Sequence, residues 1–207
     1  MILPDKKIIF IHIPKCGGSS VEVSLARHAD ETIIQEGKSS IVLRYGSLQR
    51  QIEKYFNITY ENYKHLTACQ YKEFLGKEYN DYYVFSIMRN PKDRIKSLIK
   101  WSGINRVDDN VIVNNLKHHG SWLPADKFIQ DSDGNLIVNK IIKFSNLSNE
   151  FNDTVSSLNL KNIYLPHLNK ALPTTSAIND TIDISNILQK YYPSEVKLYN
   201  NIFKNEY

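Results

Sequence analysis

The sequence predicts a three-layer α/β domain with a central, mainly parallel sheet, and three observations carry that reading. Apolar runs at residues 8–13 and 82–88 each stop at a short polar loop. An amphipathic segment follows each loop, and strand–loop–helix repetition is the pattern that lays helices against a parallel sheet. The chain has 207 residues of which 42% are hydrophobic, enough for one sizeable core, so residues 1–207 are expected to form a single domain.

Each element follows from local signals. Residues 8–13 are the first strand and 19–29 the first helix, with Val21, Val23, Leu25 and Ala26 turned mostly inward. A short strand is expected at 32–35, a helix at 47–56, and a shorter helix at 68–75 that Gly76 stops in the left-handed conformation. After the second strand at 82–88, Asn90 suits an N-cap and Pro91 the first helical position, where its missing N–H does no harm. Ile95, Leu98 and Ile99 then share one apolar face. The polar stretch 102–133 holds a helix at 111–118 and ends in a turn at Asp133-Gly134. A strand at 137–144, a helix at 147–158 and a short strand at 163–165 come next. Ile184, Ile187, Leu188 and Tyr191 fall at i, i+3, i+4 and i+7, which makes a helix that Pro193 separates from a last one.

Composition excludes several functional classes. Lysine plus arginine exceed aspartate plus glutamate by 26 to 22, a formal charge of +4, which favours anionic ligands but lacks the basic stripe of a nucleic-acid binder. The longest apolar run contains His12 and falls far short of a membrane span. The first residues, Met1 to Lys7, enter the first strand at once and leave no room for a secretory signal. Two cysteines, Cys16 and Cys69, suggest no disulfide framework, so a cytoplasmic setting is expected. The sequence is silent on oligomeric state.

The loop Pro14-Lys15-Cys16-Gly17-Gly18-Ser19-Ser20 has the chemistry of an anion cradle. Glycines free the backbone to aim successive N–H groups inward, and the helix behind presents its positive end. Lys15 and the hydroxyls of Ser19 and Ser20 complete it. The lysine precedes the glycine pair, whereas the nucleotide-triphosphatase loop places it after the second glycine, next to a hydroxyl that holds magnesium. A kinase or ATPase is therefore disfavoured. A strand-to-helix turn whose glycines serve geometry alone is the plainer reading of this segment by itself. The second loop, Arg89-Asn90-Pro91, ends a strand and opens a helix in the same way and makes a second anion site.

The order Pro-Lys-x-Gly-Gly-Ser-Ser after a strand resembles the 5′-phosphosulfate loop of sulfotransferases that use 3′-phosphoadenosine 5′-phosphosulfate (PAPS). The second segment is similar to their 3′-phosphate motif, in which an arginine and a serine eight residues on hold the adenosine 3′-phosphate; here these are Arg89 and Ser97. The likeness continues through Phe144-Ser145-Asn146-Leu147 and Leu165-Pro166-His167-Leu168-Asn169-Lys170, which look like the carbohydrate-type, Golgi-like branch and its bacterial relatives. Golgi members carry membrane anchors and this chain departs from them there, which points to a bacterial or viral setting. The resemblance implies a P-loop-like nucleotide-binding fold, PAPS as sulfate donor, no metal, and a hydroxyl-bearing acceptor expected to be a glycan or small carbohydrate. It further implies that the stretch 102–133 shapes the acceptor site.

On that resemblance Lys15, Cys16, Gly17, Gly18, Ser19 and Ser20 hold the 5′-phosphosulfate, Arg89 and Ser97 hold the 3′-phosphate, and Lys170 is a further phosphate contact. Arginine offers phosphate a planar two-pronged donor and serine one directional hydroxyl. Lys15 is the candidate that neutralises the departing oxygen. His65, in Lys64-His65-Leu66-Thr67-Ala68, is the candidate base, because imidazole titrates near neutral pH and the segment resembles the family's His-x-Thr-Ala stretch. Glu22 is held in reserve as a base, its plainer reading being an exposed helix carboxylate. His12 reads as a hydrogen-bonded core residue, and Asp93 with Arg94 as a surface charge pair or structural salt bridge. His118-His119 lacks partners at metal-ligand spacing. His167 and Asn169 lie in a loop that could close over the nucleotide, and Trp101 and Trp122 are expected to pack rather than stack on a sugar. Two rival readings stay open: a phosphoryl-transfer enzyme with an altered loop, and a nucleotide-binding module without catalysis.

Overall fold

The computed structural model describes residues 1–26, 28, 32–36, 41–104, 107–160, 163–166 and 183–203. Strand β1 (Ile2–Leu3) and β2 (Ile8–Ile11) lead through a loop into α1 (Gly18–Ala26). Next come β3 (Thr32–Glu36), β4 (Ile41–Tyr45), α2 (Gly46–Phe56), α3 (Tyr60–Tyr63) and α4 (Ala68–Leu75). Strand β5 (Tyr83–Met88) feeds α5 (Pro91–Trp101), followed by α6 (Asp109–His118), α7 (Asp126–Ile129), β6 (Lys140–Lys143), α8 (Leu147–Ser157), α9 (Ile184–Tyr191) and α10 (Pro193–Phe203).

The main sheet has the order β1-β2-β5-β6. Strands β2, β5 and β6 are parallel, with Ile11 opposite Ser86 and Met88 opposite Lys143, while β1 runs antiparallel at the edge. All four residues of β2 are buried, as expected of a strand covered on both faces. The one hydroxyl at the centre, Ser86, is satisfied by donating to the Ile11 carbonyl at 2.8 Å. Ile9, Phe10, Ile11, Val84, Phe85 and Ile87 from these strands join Val21 and Leu25 of α1 and Phe151 of α8 in one core. A second apolar cluster sets Ile95, Leu98 and Ile99 of α5 against Ile112, Trp122, Ile184, Ile187 and Tyr192.

The start of α5 follows the chemistry read from the sequence, whereas the two ends of α4 do not. Asn90 caps α5 by accepting from the backbone N–H of Lys92 and Asp93, with Pro91 as the first helical residue. Thr67 and Gln70 form a capping box at the start of α4. Gly76 closes α4 at φ +57° and ψ −129°, so its φ is positive but it is not in the left-handed helical basin, and the chain passes directly into a 3₁₀ turn over Gly76–Asp81.

One expected strand is present and slightly longer, and two expectations are corrected. The strand expected at 32–35 extends to Glu36 and pairs with β4 in a separate two-stranded antiparallel sheet. The strand expected at 137–144 shrinks to Lys140–Lys143, because Leu136 bridges to Gln130 and the Ile137 N–H donates to the Ile129 carbonyl. Residues 163–165 form no strand; the Tyr164 carbonyl instead accepts from the Ser24 hydroxyl at 2.6 Å, which ties this segment to α1. No helix among the described residues is long and apolar enough to cross a membrane.

Candidate active site

Because β2, β5 and β6 are parallel, their carboxyl ends share one edge of the sheet, the edge where open α/β sheets bind ligands. The loop after β2 turns there. Lys15 at φ +66° and Gly17 at φ +81° both take left-handed backbone, which costs a side-chain-bearing residue such as Lys15 about 1–2 kcal/mol. The glycine pair has two separate causes. A Cβ on Gly17 would lie 2.9 Å from the Phe144 ring, and one on Gly18 would lie 2.1 Å from the His12 ring. Ser19 and Ser20 follow Gly18 in the first turn of α1, with the Ser20 N–H donating to the Gly17 carbonyl at 3.1 Å. The Cys16 side chain is buried in the core, where desolvation pushes its thiol up to about 12, so only its backbone is available to the loop.

The second loop meets the first. Arg89 donates from Nη1 to the Lys15 carbonyl at 3.4 Å, and its guanidinium lies 4.6 Å from the centre of the Phe144 ring. Its Nε is buried without a hydrogen-bond partner among the described residues. Burial above all, and then the charge of Arg89, lower the Lys15 ammonium to about 8. Neither Lys15 nor Arg89 pairs with a carboxylate among the described residues. Two cations near enough to repel and an unpaired buried guanidinium nitrogen make this edge electrostatically fit for an anion. Ser97 is half-buried on α5 and forms no hydrogen bond to Arg89.

His65 is brought to the same loop. Its Nδ1 lies 3.0 Å from the His12 carbonyl, and its ring meets the His12 ring edge-on at 4.6 Å. Burial first, and the His12 charge second, hold its pKa well below 6.5, so the imidazole is neutral near pH 7 and able to accept a proton. Glu22 is not the exposed carboxylate expected: it is buried on α1 with Oε1 3.1 Å from His12 Nδ1. His12 is buried as expected, although its partner is this carboxylate.

Other candidates separate by position. Arg94 pairs with Glu195 of α10 rather than Asp93, through bonds of 2.6 and 2.5 Å with both side chains fully buried, so it is structural. Trp122 packs in the second core, but Trp101 is 65% exposed, with the Lys15 ammonium 5.2 Å above its ring. Phe144, at the end of β6, carries a contact to each loop and was read in the sequence only as part of the family likeness; a lone aromatic after a short strand gives no stronger signal. Lys170, His167 and Asn169 lie outside the described residues. Among the described residues no group of histidine, cysteine, aspartate and glutamate could hold a metal ion, His118 and His119 included.

Comparison with known proteins gives a family match. Residues 1–100 match the model of the Sulfotransferase family, and neither a curated protein nor a solved structure matches the chain. The matched stretch contains the glycine loop, His65, Arg89 and Ser97 together, and over it the chain is similar to the Sulfotransferase family.

Proposed function

We propose that the protein transfers a sulfuryl group from PAPS to a hydroxyl of a carbohydrate acceptor, within a three-layer P-loop-like fold that occupies residues 1–207 as one cytoplasmic domain. The observation that carries this reading is the meeting of Lys15 and Arg89 at the strand ends, two cations joined through the Lys15 carbonyl with no carboxylate of the described residues between them. A donor with phosphate groups at both ends of a ribose calls for two such anion sites.

In this reading the backbone of Cys16, Gly17 and Gly18 and the hydroxyls of Ser19 and Ser20 hold the 5′-phosphosulfate, while Arg89 and Ser97 hold the 3′-phosphate. Lys170 adds a phosphate contact. The acceptor oxygen forms a bond to sulfur as the bond from sulfur to the bridging phosphate oxygen breaks. The Lys15 ammonium neutralises the charge that builds on that oxygen, and such help is commonly worth about 3–4 kcal/mol. His65 takes the acceptor's proton at Nε2, since its Nδ1–H is committed to the His12 carbonyl. Residues 102–133 shape the acceptor site.

The test is calorimetric binding of 3′-phosphoadenosine 5′-phosphate beside ADP and magnesium-ATP, for the wild type and Arg89→Ala. Selective binding of the 3′-phosphorylated nucleotide, weakened in Arg89→Ala, is the expected result. Equal binding of ADP would refute the donor assignment, and magnesium-dependent ATP turnover would replace it with phosphoryl transfer.

A further inference from the structure

His12 directly follows β2, which ends at Ile11 rather than at residue 13, and leads into the glycine loop, with its ring held on three sides. The first side is Gly18, the opening residue of α1. A methyl there would stand 2.1 Å from His12 Cδ2 and 2.4 Å from Nε2, so the ring occupies the space a side chain would need. The second side is Glu22, four residues further along α1. Residues spaced by four stack on one helix face, so the glycine that admits the ring and the carboxylate that meets its Nδ1 at 3.1 Å belong to one surface of α1. The third is His65, edge-on at 4.6 Å, whose Nδ1 reaches the His12 carbonyl at 3.0 Å.

We propose that His12, clamped by Glu22, is the positioning residue of this site: its ring sets where α1 begins against β2, and thereby the loop between them, while its carbonyl fixes His65 with Nδ1–H donating and Nε2 left to accept. The inference rests on the reading of His65 as the base. It gives Glu22 a task other than that of the reserve base. The Glu22 side chain is buried and directed at an imidazole. Burial alone would push its carboxyl up, but the charge of His12 beside it holds it below the usual carboxylate value, so it stays ionised as a clamp. Lys64, the residue before His65, is a neighbouring cation that acts on both Glu22 and His65.

The experiment compares wild type, Glu22→Ala and Glu22→Gln at a temperature where circular dichroism shows each to be folded. Two quantities are read: calorimetric affinity for 3′-phosphoadenosine 5′-phosphate, and the ¹⁵N chemical shifts of the His65 imidazole without nucleotide. Glu22→Ala is expected to weaken binding by about tenfold or more and to move His65 from the single Nδ1–H form towards a mixture of tautomers. Glu22→Gln, which keeps an oxygen beside His12 Nδ1 at the same reach, is expected to return binding to within about threefold of wild type and to restore the single tautomer. Wild-type affinity and unchanged His65 shifts in Glu22→Ala would overturn the proposal, as would a Gln variant that recovers neither. If Glu22→Ala does not fold, Glu22→Asp withdraws the carboxylate by one methylene and is judged on the same two quantities. A wild type that does not bind the nucleotide counts against PAPS as donor, and the His65 spectra then decide the His12 proposal alone.

Discussion

At the scale of single residues, the site depends on atoms that leave no room for variation. The Cβ of an alanine at position 18 would penetrate the His12 ring, so Gly18→Ala must displace either the ring or the start of α1. It is expected to cost about 1–3 kcal/mol in a thermal melt and to abolish measurable binding of 3′-phosphoadenosine 5′-phosphate. Lys15 supplies a pH dependence. Its ammonium, lowered to about 8, is present below that pH and lost above it, so affinity for an anion must fall as pH rises. Between pH 7 and 9 the expected loss is about tenfold, checked by calorimetry, and the dependence should flatten in Lys15→Met. His65 sets the opposite limb. Because its pKa lies well below 6.5, turnover should persist to pH values more acid than an ordinary histidine base would allow.

At the scale of elements, α5 is placed by two devices of different kinds. Asn90 and Pro91 fix its first turn, and the buried Arg94–Glu195 pair ties that turn to α10, where Glu195 also accepts from the Ala125 N–H at 2.8 Å. Removing one partner leaves a fully buried charge, so Arg94→Met or Glu195→Leu alone is expected to destabilise by about 3–5 kcal/mol in urea unfolding. The double variant should recover most of that loss. This pairing marks the limit of what the sequence could say. The cap of α5, the glycine loop and the apolar faces of α5 and α9 were legible because each depends on residues close together in the sequence. The partner of Arg94 was not, since Glu195 lies 101 residues away and no local pattern connects them. The same holds at the site. The loop residues and Arg89 could be read from the two strand ends, whereas the burial of Glu22 and the exposure of Trp101 depend on how α1 and α5 turn against their neighbours.

At the scale of the whole molecule, ligand and fold share the same framework, because both loops grow from strands at the centre of the core. A ligand that bridges them is bound only by the folded chain. At one hundred times its dissociation constant it adds about 2.7 kcal/mol, so 3′-phosphoadenosine 5′-phosphate is expected to raise the melting temperature by roughly 5–10 °C. Scanning fluorimetry would detect this, and ADP at the same concentration should give a smaller rise.

The burial of Cys16 in the middle of the glycine loop has a practical consequence. A thiol with its pKa pushed up to about 12 and no path to solvent does not react with alkylating reagents while the loop keeps its shape, whereas Cys69 is only partly covered. The two cysteines therefore act as a paired clock. Mass spectrometry should find Cys69 modified first, and the slower labelling of Cys16 should time each transient opening of the loop, lengthening when nucleotide holds it shut.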